Sequence, residues 1–486
     1  MMEKKNEILN KVLRFLKSAV RGIAFLTLVF FLIVRCYDIL SWKDTLGDYL
    51  SSTTQLYATE EDRMDVLFMG SSHTYCGVSP AILWNETGIA SFNMTTSGQD
   101  KNSTTHYLVE ALKTQSPKVV FVELWGLTFD QHAVEGNVHR NMMGMPLSEN
   151  SIALIDDYVT DPTMNTAYKL RWPIIHTRYK EIDKYDFIQY DFSEYGRGVD
   201  LNFTPGAAGY PTEGLLNTEP AELYKNNKAW IEELYQLSVD EGFELVFFAA
   251  PTIVSYDEQG QINGVAKFAE EHDIDFFDFN RMSEELGFDY STDFVDNYHL
   301  NAYGADKLTR FLGEYLEETY DLEDHRGDEA YKQWDDSYTR HVQVRDTAIL
   351  KQCYTFEQYI GQLKTMKNIT WFVSFEGNYM FSPLQLNFVA WILGLDDKAY
   401  QEGGTYMYKD GELIKIMDNS SKEVYIHEVT EYDSFKIQNM NLEDPTASST
   451  YDIMFNMEPV GTLGNGVNFV VYDEFRHEII DTRGFY

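Results

Sequence analysis

Three short stretches of this chain hold residues whose types and spacing suit acyl-group chemistry. The first is Gly70-Ser71-Ser72-His73, inside "DVLFMGSSHTYCGVSP" (65–80), where an apolar run stops at a glycine. The second is Thr95-Thr96-Ser97-Gly98-Gln99-Asp100, and the third is "DFVDNYHLNAYG" (293–304), with Asp296 and His299 three residues apart. A serine hydroxyl is inert at neutral pH unless a neighbouring base takes its proton. An imidazole is such a base, and a carboxylate beside it fixes its tautomer and stabilises its protonated form. Backbone N–H groups at a tight turn hold the oxyanion that forms when a serine attacks a carbonyl. Taken singly, GSS is an ordinary helix N-cap and DxxH an ordinary surface pair. Their meaning depends on whether the fold brings them to one place.

The elements around them follow a βα rhythm. "DVLFMG" (65–70), "GIASFNM" (88–94), "KVVFVEL" (118–124), "ELVFFAAP" (244–251) and "DFFDF" (275–279) read as five strands, most of them apolar throughout, as in a parallel sheet buried on both faces. Helical spacing occupies 101–116, 221–242, 263–273 and a closing segment with Leu308, Phe311, Leu312, Tyr315 and Leu316 on one face. Alternating strands and helices define an α/β domain over 63–320 with a parallel sheet and helices on both faces. Ligands of such sheets bind beyond the carboxyl ends of the strands, where all three stretches fall. An insertion, 127–220, is rich in Tyr, Met, Arg and His and reads as a helical lid over that edge. Within it, Met142, Met143 and Met145 read as core. Arg140, Arg171 and Arg178 are either cations for an anionic substrate or members of surface salt bridges.

The flanks differ from this domain. Residues 1–21 form a basic segment with six Lys or Arg against two Glu, and "GIAFLTLVFFLIV" (22–34) carries no charge. The run is shorter than the ~20 residues of a full span, but flanking apolar residues extend it and Arg21 and Arg35 can snorkel. It reads as an uncleaved transmembrane anchor over 19–40, basic end inside and the rest of the chain outside. A cleaved signal peptide ranks second and a buried soluble helix third. Residues 41–62 read as a stalk or connecting helix, and the highly charged 321–345 as a linker. Residues 346–486 change character: helix, strand and helix, then β-type runs with a "KDGE" hairpin signal, an α+β, sandwich-like module.

Composition excludes several classes. Hydrophobic content of 44% indicates a folded chain, and a net charge of −38 excludes a nucleic-acid partner, because phosphate binding needs a basic surface. The three cysteines, Cys36, Cys76 and Cys353, have no CxxC spacing, and neither HExxH nor an EF-hand loop occurs. Neither a metal nor a cofactor is expected.

Together the three stretches resemble the SGNH (GDSL-type) hydrolase superfamily over roughly residues 60–320. "VLFMGSSHTY" is similar to its first block, "NMTTSGQD" to its second through Gly98, and "DNYHLNAYG" to its last. The resemblance implies a flavodoxin-like three-layer α/β/α fold. It also implies Ser72 as nucleophile, His299 as general base, Asp296 as its orienting carboxylate, and the N–H groups of Ser72 and Gly98 as oxyanion donors. One block departs: where the superfamily usually has an oxyanion-binding Asn, this chain reads "ELWGLTFD" (123–130).

The anchor, the GSS block and the insertion resemble proteins of the D-alanyl-lipoteichoic-acid assembly type and membrane-associated polysaccharide O-acetyltransferases. That likeness implies transfer or removal of acyl or O-acetyl groups on a cell-surface polysaccharide or related polymer, beside a membrane-bound O-acyltransferase. The alternative is a catalytically weak or inactive scaffold that binds glycan or a partner. The C-terminal region resembles an interleukin-like EMT inducer domain in permuted order. Its "GVNFVVYD" strand comes last, with Gly466 matching the motif and Asn465 where an Arg is usual. That domain is non-catalytic.

Overall fold

The computed structural model describes residues 2–41, 50–128, 141–182, 186, 197, 199, 202–376, 382–395, 403–409, 411–418, 421–430, 433–439, 451–460 and 466–485. The chain divides into two compact units, Met1–Asp335 and Asp336–Tyr486.

The first unit opens with a long helix, α1 (Met2–Leu40). Its segment Leu13–Leu40 is long and apolar enough to cross a membrane, with a mean hydropathy of 2.2 over its most apolar window. After α2 (Leu50–Ala58) come β1 (Val66–Gly70), α3 (Ser72–Gly77), α4 (Pro80–Thr87), β2 (Ser91–Thr95), α5 (Lys101–Ala111), β3 (Val119–Glu123), β4 (Glu244–Ala249) and β5 (Asp275–Asp278). The five strands form one parallel sheet in the order β2-β1-β3-β4-β5. Every residue of β1, β2 and β3 is buried, as the apolar runs of β1 and β3 require when helices cover both faces, and β2 buries Ser91, Asn93 and Thr95 as well. One face packs Val66, Phe68, Val119, Phe121, Val246 and Phe248 against Leu308, Leu312 and Leu316 of the closing helix Ala302–Thr319. Each such side chain contributes roughly 1.5–3 kcal/mol on leaving water.

This strand order places the functional edge. The chain steps from β1 to β2 on one side, then returns to the other side of β1 for β3. The connections therefore diverge above the carboxyl ends of β1 and β3 and leave a crevice there. Gly70 ends β1 at this point with φ of 151°. A Cβ on it would lie 2.4 Å from Thr74 Oγ1 and 2.6 Å from Glu123 Cβ, so only glycine lets β1 turn this close to β3.

Two expected connectors are built into the domain instead. In the expected stalk, α2 buries Leu56 and Gln55, and Tyr57 donates to Glu110 of α5. Its Leu56 is apolar in a stretch otherwise rich in Ser and Thr, and it finds the β2 side of the sheet. The expected linker 321–345 contains the first part of a helix, Lys332–Gln352. Tyr331 and Trp334 near its start are buried against Trp84 of α4. The two units divide at Asp335, inside this helix.

The second unit adds β6 (Ile369–Glu376), β7 (Gly404–Lys409), β8 (Glu412–Met417), β9 (Tyr425–Glu428), β10 (Ser434–Asn439), β11 (Tyr451–Phe455), β12 (Glu458–Pro459), β13 (Gly466–Asp473) and β14 (Glu478–Phe485). A five-stranded sheet ordered β14-β13-β6-β7-β8 and a four-stranded sheet ordered β12-β11-β10-β9 share a core. Phe372, Val470 and Tyr472 of the larger sheet meet Phe435, Ile437, Tyr451 and Ile453 of the smaller. The alternate residues, Trp371, Val373, Phe469 and Val471, pack against helices Phe356–Thr365 and Pro383–Leu393 on the other face. Period-two alternation thus serves two cores at once.

Gly70→Ala is expected to lower stability by about 1–3 kcal/mol through overpacking. A lower thermal unfolding midpoint of the full-length protein in detergent micelles, relative to wild type, is the expected readout.

Candidate active site

Ser71, Ser72 and His73 leave β1 in three different roles. Ser71 is the N-cap of α3: its side chain accepts from the His73 N–H at 3.3 Å. The capping reading of GSS is therefore satisfied by Ser71 alone. Ser72, the first helical residue, is left with its hydroxyl 2.9 Å from His299 Nε2.

His299 reaches that position from a tight loop. Phe294 and Leu300 form a bridge, and the Val295 N–H donates to the His299 carbonyl at 2.9 Å. Asn301, fully buried, caps the closing helix through the N–H groups of Tyr303 and Gly304. Its own amide donates to the carbonyls of Thr292, Phe294 and Thr204. At the loop tip Asp296 Oδ1 accepts from the N–H groups of Tyr298 and His299 at 2.8 and 2.9 Å. Both carboxylate oxygens lie 3.0–3.1 Å from His299 Nδ1. The tail of the insertion braces the loop from outside. Gly206 bridges Asp293 and Phe294, and the Gly209 N–H donates to Asn297 Oδ1 at 2.8 Å.

The protonation states follow from the partners. Burial raises the Asp296 pKa, but the Tyr298 N–H and the adjacent His299 outweigh it and hold the carboxyl below its usual range. An ionised carboxylate only accepts, so His299 Nδ1 carries the proton and Nε2 presents a lone pair to the Ser72 hydroxyl. Burial lowers the His299 pKa, the neighbouring His73 lowers it further, and Asp296 and Glu123 only partly oppose them. The imidazole is thus poised to accept a proton at neutral pH.

Beneath the serine turn lies a feature that the motifs leave out. Glu123, at the end of β3, is buried, with both oxygens committed to this site. Oε2 accepts from the Ser71 hydroxyl at 3.0 Å and more weakly from the Ser71 N–H at 3.4 Å. Oε1 accepts from the Trp125 N–H at 2.7 Å and lies 3.4 Å from His73 Nδ1. His73 in turn has its ring centroid 5.3 Å from that of His299. The clue in the sequence was a carboxylate ending the apolar run "KVVFVEL" at the ligand-binding edge. It stands in the block where an Asn was expected and absent.

Gly98 occupies the third corner of the edge. It lies three residues beyond Thr95, which pairs with Gly70 across β1 and β2. Its φ is 65°, and a Cβ there would meet no atom within 4 Å, so the turn opens outward. Asp100 caps α5 by accepting from the Ser103 N–H, and Tyr158 of the insertion donates to the same carboxylate. Ser72, Asp296 and His299 are thus joined by hydrogen bonds, and Gly98 flanks them at the same sheet edge.

The candidate cations of the insertion are committed elsewhere. Arg171 is buried and donates to the Met145 carbonyl, while Arg178 pairs with Asp186. Arg140 lies outside the described residues. Met142 and Met145 are buried. Among the described residues no group of three or more His, Cys, Asp or Glu is arranged to hold a metal. No protein-family model matches the chain, and no curated protein is significantly similar to it.

Glu123→Gln keeps one acceptor oxygen and exchanges the other for a donor amide facing N–H or O–H groups. Leaving buried donors unpaired costs about 1–3 kcal/mol. Thermal unfolding of the full-length variant is expected at a lower temperature than wild type, with Ser71→Ala showing a smaller decrease.

Proposed function

We propose that this chain is a membrane-anchored serine acyl-ester enzyme of the SGNH type. In this reading it works on the outer side of the membrane and transfers or removes acyl or O-acetyl groups on a cell-surface polysaccharide or related polymer. The observation that carries the reading is the hydrogen-bonded series Ser72 Oγ, His299 Nε2, His299 Nδ1, Asp296. The 2-1-3-4-5 strand order, which is that of flavodoxin-like sheets, supports the superfamily likeness. The span candidate Leu13–Leu40 supports the anchor.

In the first half-reaction, the Ser72 hydroxyl gives its proton to His299 Nε2 as Oγ bonds to the acyl carbon. The carbonyl oxygen becomes an oxyanion, held by the N–H groups of Ser72 and Gly98. Collapse breaks the bond to the donor alcohol, which leaves with the proton from His299. In the second, an acceptor hydroxyl gives its proton to His299 and takes the acyl group, and Ser72 regains a proton. A sugar hydroxyl as acceptor gives transfer and water gives hydrolysis. Asp296 keeps the imidazole upright and balances its charge in both halves. The second unit, similar to an interleukin-like EMT inducer domain in permuted order, acts in this reading as a non-catalytic module.

Ser72→Ala is expected to abolish labelling by a serine-reactive phosphonate and to reduce release of acetate from a model ester by about 1,000-fold or more. Unchanged ester cleavage in that variant would sink the serine assignment. Tight glycan binding by a wild-type protein that never labels would instead favour the scaffold reading.

His299 must be neutral to act, so kcat/KM should rise with pH. Burial and His73 hold its pKa below the ordinary value of 6.5, against the opposing Asp296 and Glu123, so the midpoint of that rise is expected below 6.5. A pH–rate profile of the full-length protein measures it.

A further inference from the structure

The insertion carries a surface that the serine site does not use. Helix Pro162–Leu170 is followed by two short turns, Trp172–Ile175 and His176–Lys180. From Lys169 to Lys180 the chain reads "KLRWPIIHTRYK", with four Lys or Arg and no acid, in a protein with 77 acidic residues against 39 basic. Leu170, Trp172, Tyr179 and Ile182 are exposed, Leu170 and Tyr179 by more than half. Single exposed apolar residues need no explanation, but four within thirteen positions do.

Their position supplies one. The Trp172 ring stacks on Tyr37 of α1 with centroids 6.4 Å apart, and Arg178 Nε donates to the Leu40 carbonyl at 3.0 Å. The uncharged run of α1 ends at Val34, and Arg35 and Asp38 form an exposed ion pair at 3.1 Å just beyond. The span-length segment ends at Leu40, and at 1.5 Å rise per residue Tyr37 stands about 4–5 Å inside that end, at interfacial depth for a helix that crosses the bilayer. Aromatic side chains with polar edges favour this depth, as do lysines whose stems lie along apolar surface.

We propose that the segment 169–182 rests on the membrane surface beside the end of α1. Leu170, Trp172, Tyr179 and Ile182 enter the interfacial layer, and Lys180 and Lys169 face anionic headgroups. The occupant is the bilayer, because the patch is continuous with the end of the membrane helix itself. Lys169 also pairs with Asp156, which leaves Lys180 as the more exposed of the two. The insertion then also fixes this unit against the membrane, while its tail at 202–209 braces the His299 loop. The inference rests on α1 crossing the membrane and is independent of the serine chemistry.

The test uses the full-length chain in nanodiscs of phosphatidylcholine and phosphatidylglycerol. Nitroxide labels are placed at Phe25→Cys, Tyr179→Cys and, as a solvent reference on an exposed helix position, Val239→Cys, each on a C36A/C76A/C353A background. Relative accessibility to oxygen and to a water-soluble nickel chelate is measured by power saturation. The 179 label is expected to favour oxygen by at least about twofold over the 239 label, as an interfacial position does. In parallel, shallow brominated lipids should quench wild-type tryptophan fluorescence more than that of Trp172→Phe.

A lipid-like 25 label with a 179 label matching 239 overturns the proposal and leaves the anchor intact. A water-exposed 25 label overturns both. A 179 label shielded from both agents means a protein contact and also overturns the proposal. Equal bromolipid quenching of wild type and Trp172→Phe does the same.

Discussion

A carboxylate taken out of water must find donors, and at the end of β3 Glu123 finds nearly all of them in the turn that follows β1. The Ser71 hydroxyl and N–H, the His73 imidazole and the Trp125 N–H converge on its two oxygens. An unpaired buried carboxylate would be very costly, so the turn and the strand end are held together as one body. The same close approach excludes a side chain at Gly70. The serine turn is thereby positioned from beneath, by a carboxylate whose own oxygens are occupied by its donors.

Division of labour in the GSSH turn follows from this. Ser71 is fully engaged, giving its hydroxyl proton to Glu123 while accepting from the His73 N–H as helix cap. Ser72 is excused from capping, so its hydroxyl turns to His299. His299 arrives on a loop clamped by Asn301 and braced by the insertion's tail. Asp296 is half-exposed, and its attraction for His299 is therefore partly screened by water. The buried His73, its ring centroid 5.3 Å from that of His299, acts on that imidazole through protein instead of solvent.

The insertion joins two regions that are remote in sequence. One end stacks on the last turn of α1 and the other pairs with the loop carrying the base. Its buried arginines serve this architecture: Arg171 and Arg178 meet carbonyls and a carboxylate of the same unit. Charge in an acidic protein drew attention to them as substrate ligands, but long cationic side chains satisfy backbone carbonyls equally well.

Local signals were enough for much of the framework. Apolar, β-branched and aromatic runs marked β1, β3 and β4 most clearly, because such runs survive only between two covered faces. Gly411, in the "KDGE" hairpin signal, has a φ of 88°, where glycine is unstrained. The N-terminal helix long and apolar enough to cross a membrane was legible as charge followed by its absence. Proximity was not legible. Residues 50–59 and 331–334 read as polar connectors, since one or two large apolar side chains do not change a local average, yet Leu56 and Trp334 find a core in three dimensions. Glu123 read as the end of a strand, and His73 as a neighbour of the serines. Their pairing depends on β1 and β3 lying side by side, a fact of strand order that no local stretch encodes. Residue types and spacing thus determined which groups were present, and the tertiary structure decided which of them share a proton.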